Sequence, residues 1–213
     1  MSIVENYKSI INKINSLSNK VTLVCVTKTF SLDAVKPLVD YGHLHFGENK
    51  VQEANNKWFE LLKDNEKIKL HMLGKIQSNK IDTIVKIFSY VHSLDSKRNA
   101  IKFSESEKKF GKKLDYFVQV NIANETQKSG IEISLVQSFV KFCQMDLNLN
   151  IVGLMCIPPF NKNSENFFSE LYKLNKDCNL NNLSMGMSSD YELAIKNGAN
   201  YVRVGSSIFG NRS

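Results

Sequence analysis

Cysteine is scarce in this 213-residue chain, and the four present (Cys25, Cys143, Cys156, Cys178) form no Cys-x-x-Cys pair. Widely spaced and set mostly among apolar neighbours, they read as small buried hydrophobes in a reducing compartment. That excludes a disulfide scaffold and a cysteine zinc site. No run of about 18 apolar residues occurs, so no membrane span is expected. The first 19 residues are amphipathic and carry Glu5, Lys8 and Lys13, unlike a secretory leader, so the expected location is cytoplasmic. No Gly-x-Gly-x-x-Gly follows an apolar run, so nothing supports a dinucleotide fold. The net charge of +7 suggests an anionic partner. The densest basic run, Glu107 to Lys113, nevertheless lacks the interleaved aromatics that stack on bases. A solvated helix end explains it better, and no nucleic-acid partner is expected.

What is present is a regular alternation. The chain is 42% hydrophobic, enough for one sizeable core, and a single domain over residues 1–213 is expected. Ile3, Tyr7, Ile10, Ile11, Ile14 and Leu17 lie at helical spacing and predict a helix ahead of the first strand. Eight short apolar runs then predict strands at 21–27, 43–46, 68–73, 90–92, 114–122, 151–156, 183–185 and 201–204. Stretches of helical period separate them, at 32–41, 51–63, 76–88, up to 110, 134–145, 164–176 and up to 197. A last short helix is expected to open at Gly205-Ser206-Ser207. Strand and helix alternating eight times predict an α/β fold, a single (β/α)8 TIM barrel with an extra N-terminal helix.

The chain is organised around Val21 to Thr29. Its apolar run, free of Gly and Pro, reads as a strand buried on both faces. It ends at Lys28, just before Ser31, a plausible helix N-cap. An ammonium at the mouth of an apolar interior is partly desolvated, which lowers its pKa and suits it to Schiff-base chemistry. A lysine that snorkels to solvent is the plain alternative. In a barrel, the strand ends gather Lys28, Asn49, His71 with Gly74, His92, Asn121, Met155, Ser188 and Gly205-Ser206 at one mouth. Two turns there, Met187-Ser188-Ser189 and Gly205-Ser206-Ser207, offer hydroxyls and backbone N–H groups to an anion after strands seven and eight, where barrels commonly bind phosphate. Arg203 shares a face with Gly205 and needs a partner if it points inward. A structural salt bridge is one answer, and a heteroaromatic ring nitrogen of a cofactor is another. Lysine amine, phosphate cup and arginine together describe a pocket for pyridoxal phosphate (PLP).

Seven segments carry a resemblance that runs nearly end to end. They are Val26-Thr-Lys28-Thr, His45-Phe-Gly-Glu-Asn49-x-x-Gln-Glu53, His71-Met-Leu-Gly-Lys-Ile-Gln77-Ser-Asn79-Lys80, Lys128-Ser-Gly-Ile131, Gly153-Leu-Met155, Ser184-Met-Gly-Met-Ser188-x-Asp190 and Arg203-Val-Gly-x-x-Ile-Phe-Gly210. In these the chain resembles the pyridoxal phosphate homeostasis protein family, whose barrel is similar to the N-terminal domain of alanine racemase. The resemblance implies Lys28 as the lysine of an internal aldimine, and Ser188, Gly205 and Ser206 as phosphate ligands. It implies Arg203 near the pyridine nitrogen, with Asn49, His71 and Met187 lining the pocket. It also suggests that Lys128 engages the cofactor. The chain ends three residues after Gly210, with no room for the second domain that supplies a racemase's catalytic tyrosine. The expectation is therefore a monomeric PLP carrier or buffer without strong turnover, in transient contact with PLP-dependent apoenzymes. Weak racemase-like activity is the nearest alternative.

Two rivals come from other classes. His43-x-His45, His71 and His92 resemble the metal clusters of amidohydrolase-type barrels, although no acid follows strand eight. A Schiff-base aldolase or lyase would use the same lysine and phosphate cup but leaves Arg203 without a clear role. On motif grounds His92 reads as structural.

Overall fold

The computed structural model describes residues 2–125, 127, 129–159 and 163–210. Helix α1 (Ile3–Leu17) starts in a capping box. The Ser2 hydroxyl accepts from the Glu5 N–H while the Glu5 carboxylate accepts from the Ser2 N–H, which satisfies two amides that a helix start leaves open. Its buried stripe of Tyr7, Ile10 and Ile14 then lies against the barrel wall.

Eight parallel strands follow: β1 (Thr22–Val26), β2 (His45–Glu48), β3 (Lys69–Met72), β4 (Tyr90–Leu94), β5 (Asp115–Gln119), β6 (Asn150–Met155), β7 (Asn182–Ser184) and β8 (Tyr201–Val204). They pair in chain order, and β8 pairs back with β1 to close the barrel. Helices α2 (Leu32–Asp40), α3 (Val51–Asp64), α4 (Ile81–Ile87), α5 (Lys97–Phe110), α6 (Val136–Lys141), α7 (Ser164–Asp177), α8 (Tyr191–Lys196) and α9 (Ser206–Phe209) follow the strands in turn. Helix α1 packs on α2, α8 and α9, and the Asn6 amide donates to the Ile208 carbonyl at 3.0 Å. The expected (β/α)8 barrel with its extra N-terminal helix is the fold.

The strands read as continuous apolar runs because helices cover their outer face and neighbouring strands close over the inner one. The outer face buries Leu23, Phe46, Leu70, Tyr116 and Val202 against helix residues such as Trp58, Phe103 and Phe168. Each such side chain contributes roughly 1.5–3 kcal/mol on leaving water.

Three boundaries differ from expectation for local reasons. Strand β2 starts at His45, because the His43 side chain turns outward to the Tyr7 hydroxyl (3.2 Å) and the His45 carbonyl (2.8 Å). Helix α4 starts only at Ile81, after a tight turn over Ser78–Lys80 in which the Lys80 N–H returns to the Gln77 carbonyl at 2.9 Å. The stretch expected as one helix from 134 to 145 is three pieces: a tight turn at Ile133–Leu135, α6, and a wider π-type turn at Phe142–Asp146. Asn148 in the left-handed region (φ 54°) then lets the Leu149 N–H return to the Cys143 carbonyl at 2.9 Å.

Candidate functional site

A cavity of about 540 Å³ opens at the C-terminal ends of the strands. Lys28, Asn49, Met187, Ser188, Arg203, Gly205 and Ser206 all line it, seven of the eight residues singled out in the sequence. Val26, Phe30, Leu73, Met155 and Ile157 supply its apolar wall.

Lys28 follows β1 in a turn whose next residue, Thr29, is left-handed (φ 71°). A β-branched residue adopts that conformation only when its surroundings enforce it. They do so on both sides. The Thr29 N–H donates to the Glu53 carboxylate of α3. The Thr27 hydroxyl donates to Glu48 Oε1 at 2.6 Å, and Lys57 Nζ bridges the Thr27 carbonyl and Glu48 Oε1, each at 2.8 Å. Trp58 Nε1 adds a third donor to the same Glu48 oxygen at 2.9 Å. Glu48 and Glu53 stood in a quoted motif, but nothing in their spacing said that they brace the Lys28 turn.

The opposite wall is stitched from two loops. The Met187 N–H donates to one Asp190 oxygen at 2.7 Å, and the Ser164 hydroxyl donates to the other at 3.0 Å. The Gly205 N–H reaches Ser188 Oγ at 3.4 Å, which joins the β7 and β8 loops. Gly205 is needed for space, because a Cβ there would stand 3.1 Å from the Val26 carbonyl oxygen and 3.2 Å from Val26 Cβ. Hydroxyls of Ser188 and Ser206 and the amides that open α9 thus face one end of the cavity, a donor set suited to an anion.

Arg203 is buried from bulk solvent. Its Nη1 donates to Ser184 Oγ at 2.6 Å and its Nη2 to the Cys156 carbonyl at 3.0 Å. Among the described residues it makes no salt bridge, so the purely structural ion pair considered for it is not formed. Burial pulls its pKa below the usual arginine value, with Cys156 and Asp190 opposing.

His71 is the eighth candidate, and it lies apart from the cavity lining. Its alternate position in β3 points it into the barrel. There Nε2 lies 3.0 Å from His45 Nδ1, and Nδ1 lies 2.9 Å from His92 Nε2. Burial, then the neighbouring imidazoles led by His92, hold its pKa well below the ordinary histidine value. Burial and the Arg203 charge do the same to His92. Of the other strand-end residues, Met155 lines the cavity, while the Asn121 side chain holds the Glu125 backbone. Lys128 lies outside the described residues. Among the described residues no group of His, Cys, Asp and Glu is placed to hold a metal ion. The ring nitrogens of His71 and His92 are all taken by the hydrogen bonds of the interior.

Comparison with known proteins places this barrel. A family model described as "Alanine racemase, N-terminal domain" matches residues 2–213. A pyridoxal phosphate homeostasis protein of Pseudomonas aeruginosa is 38% identical over 197 residues, covering 90% of this chain and 85% of that one. The chain belongs to the pyridoxal phosphate homeostasis protein family. A second family member, from Vibrio cholerae, is 32% identical over 231 residues, covering 99% of this chain and 97% of its own. PipY of Synechococcus elongatus PCC7942, solved both without PLP and with PLP bound, superposes with a TM-score of 0.88 at 31% identity. It covers 98% of this chain and 100% of its own. An alanine racemase of Clostridium difficile shares the fold alone, with a TM-score of 0.75 at 15% identity over 57% of its length.

Proposed function

We propose that this protein binds pyridoxal phosphate in the strand-end cavity, holds it as a Schiff base on Lys28, and serves PLP homeostasis as a carrier or buffer without strong turnover. The observation that carries the reading is the meeting of a lysine amine, a cup of hydroxyls and amides, and a buried arginine in one cavity. A volume of about 540 Å³ falls in the range of small-molecule sites. The structural relative PipY, solved with PLP bound, supports the same assignment.

When bound, the cofactor supplies an aldehyde for an amine and a phosphate for an anion site. Ser188, Ser206 and the Gly205 amide, once it turns from its long contact to Ser188 Oγ, would take the phosphate through charge-assisted hydrogen bonds. The apolar wall of Val26, Leu73 and Met155 would exclude water from the ring, with Asn49 and Met187 on its flanks. Arg203 would face the ring nitrogen, where a second proton beside a fixed cation is unfavourable. A ring kept unprotonated withdraws electrons poorly, which suits storage better than turnover. Among the described lining residues, Lys28 and Arg203 are the only ionisable groups. Among these described residues, none but Arg203 is available to share acid–base work with Lys28 across a bound amino acid. His71 in this reading acts from beneath the pocket rather than on its wall. The reading extends to one barrel domain over residues 1–213, a cytoplasmic monomer, and delivery by transient contact with PLP-dependent apoenzymes.

The test is an absorption spectrum before and after borohydride, followed by peptide mapping. The expected result is a visible band that borohydride fixes onto the peptide holding Lys28. Lys28→Ala should lose that band and keep its unfolding transition. A colourless protein that takes up no added pyridoxal phosphate would sink the reading.

A further inference from the structure

Three histidines inside the barrel form one hydrogen-bonded line that ends on the arginine of the cavity. His45 Nδ1 is 3.0 Å from His71 Nε2, and His71 Nδ1 is 2.9 Å from His92 Nε2. His92 Nδ1 is 2.7 Å from Ser184 Oγ, which is 2.6 Å from Arg203 Nη1. The line draws on β2, β3, β4, β7 and β8. His71, His92 and Ser184 are fully buried, and His45 at the far end is half-buried.

The direction of every hydrogen bond in the line follows from the arginine. A guanidinium has five N–H donors and no acceptor, so Ser184 Oγ receives a hydrogen from Arg203. The serine's own hydrogen then has His92 Nδ1 as its partner among the described residues. A neutral imidazole carries one N–H, so His92 donates from Nε2 to His71 Nδ1, and His71 from Nε2 to His45 Nδ1. All three rings therefore carry their hydrogen on Nε2. The reverse polarity would bury the serine hydrogen without an acceptor, which costs more than the hydrogen bond itself contributes. Flat neighbours fix the rings further. Tyr90 stacks on His71 at 4.3 Å between centroids, and Phe117 on His92 at 4.4 Å.

We propose that Ser184 and His92, backed by His71 and His45, are positioning residues for Arg203. The polarised line holds the guanidinium toward the ring-nitrogen end of the bound cofactor, so affinity and spectrum depend on residues that never touch the ligand. This rests on the pyridoxal phosphate reading of the cavity. Arg203 has two fixed acceptors, Ser184 Oγ and the Cys156 carbonyl. The second is backbone and survives any substitution. The first is a side chain, and the histidine line fixes it by giving the serine hydrogen an acceptor on the side away from the guanidinium.

Two measurements test the proposal. The first uses ligand-free protein and long-range nitrogen–proton NMR of the imidazoles at neutral pH. His45, His71 and His92 are expected as neutral Nε2–H tautomers, and an Nδ1–H tautomer or a charged ring at His92 overturns the line. The second is a pyridoxal phosphate titration of the unmodified protein, Ser184→Ala and Ser184→Thr, followed by absorbance. Ser184→Ala should bind roughly tenfold or more weakly and shift the ligand band, while borohydride still fixes the ligand on Lys28. Ser184→Thr, which keeps the hydroxyl, should stay within about twofold of the unmodified protein, a rescue that simple loss of packing would not give. If Ser184→Ala matches the unmodified protein in affinity and spectrum, the positioning role falls while the cavity reading stands. If the unmodified protein takes up no pyridoxal phosphate, the cavity reading falls, and with it the role assigned to Arg203.

Discussion

Lys57 Nζ lies 2.8 Å from Glu48 Oε1, an ion pair withdrawn from solvent that also grips the carbonyl of Thr27, next to Lys28. One Glu48 oxygen collects three donors, and the other, Oε2, is buried with no hydrogen-bond partner among the described residues. Such a pair is a poor source of net stability, because both ions leave water, but breaking it exposes the full cost of the remaining charge. Its effect here is to fix the turn that presents Lys28.

Lys57→Met should therefore destabilise the protein by about 3 kcal/mol or more, since Glu48 is left charged and buried. Chemical denaturation with matched slopes measures it. The double variant Lys57→Met/Glu48→Gln should recover part of the loss. A single variant within about 0.5 kcal/mol of the unmodified protein would refute the role given to the pair.

Gly74 faces the backbone of Asn49, where a Cβ would sit 2.0 Å from the Asn49 carbonyl oxygen. Backbone cannot yield as a side chain tip does, so Gly74→Ala should cost about 1–3 kcal/mol and displace Asn49 at the cavity wall. Denaturation and ligand titration on the same preparation check both effects. Gly111→Ala meets nothing within 4 Å and is the control for steric crowding, although its left-handed backbone (φ 63°) adds a strain of its own.

Acid should weaken the fold through its buried histidines. Burial holds His43 at about 4, and His71 and His92 well below the ordinary value. In the unfolded chain these rings take up protons below about 6.5, and the folded protein does not follow. Stability is thus complete above pH 6.5 and is lost as pH falls from there towards 4. His43 alone accounts for about 3 kcal/mol over that window. Denaturation midpoints at pH 7.5 and 4.5 read the difference. A midpoint that does not change between them would contradict neutral buried histidines.

Thiol reagents should find little to react with in the folded protein. Burial pushes the Cys143 and Cys156 thiols up to about 12, and Cys25 well above its ordinary value. Only Cys178 is partly exposed. Thiolate is the nucleophile, so native protein should label slowly and at Cys178 alone, whereas denaturant should expose all four cysteines. Mass spectrometry of the labelled peptides distinguishes the cases.

Much of the fold was legible in the chain itself. Apolar runs of strand length, separated by helical periodicity, fixed the count and order of elements. Lys28, Ser188 and Gly205-Ser206 could be placed at one mouth because strand ends in a closed parallel barrel converge. Periodicity misplaced local boundaries, as at the start of β2, at the tight turn over Ser78–Lys80 and in the broken stretch from Ile133 to Asp146.

The interior was not legible, and the reason is physical. A strand covered on both faces shows no alternation of polar and apolar residues, so periodicity cannot say which side chains turn inward. The resemblance put His71 on the cavity lining, His92 read as structural on motif grounds, and Ser184 stood at the head of a motif with no role assigned to it. Tertiary structure decided that these three share one line with Arg203, because only barrel closure brings β3, β4, β7 and β8 face to face. The sequence by itself determined the barrel and the residues that ring its mouth. The buried contacts that hold Lys28 and Arg203 in place join residues far apart in the chain, and they exist only once the eight strands have closed.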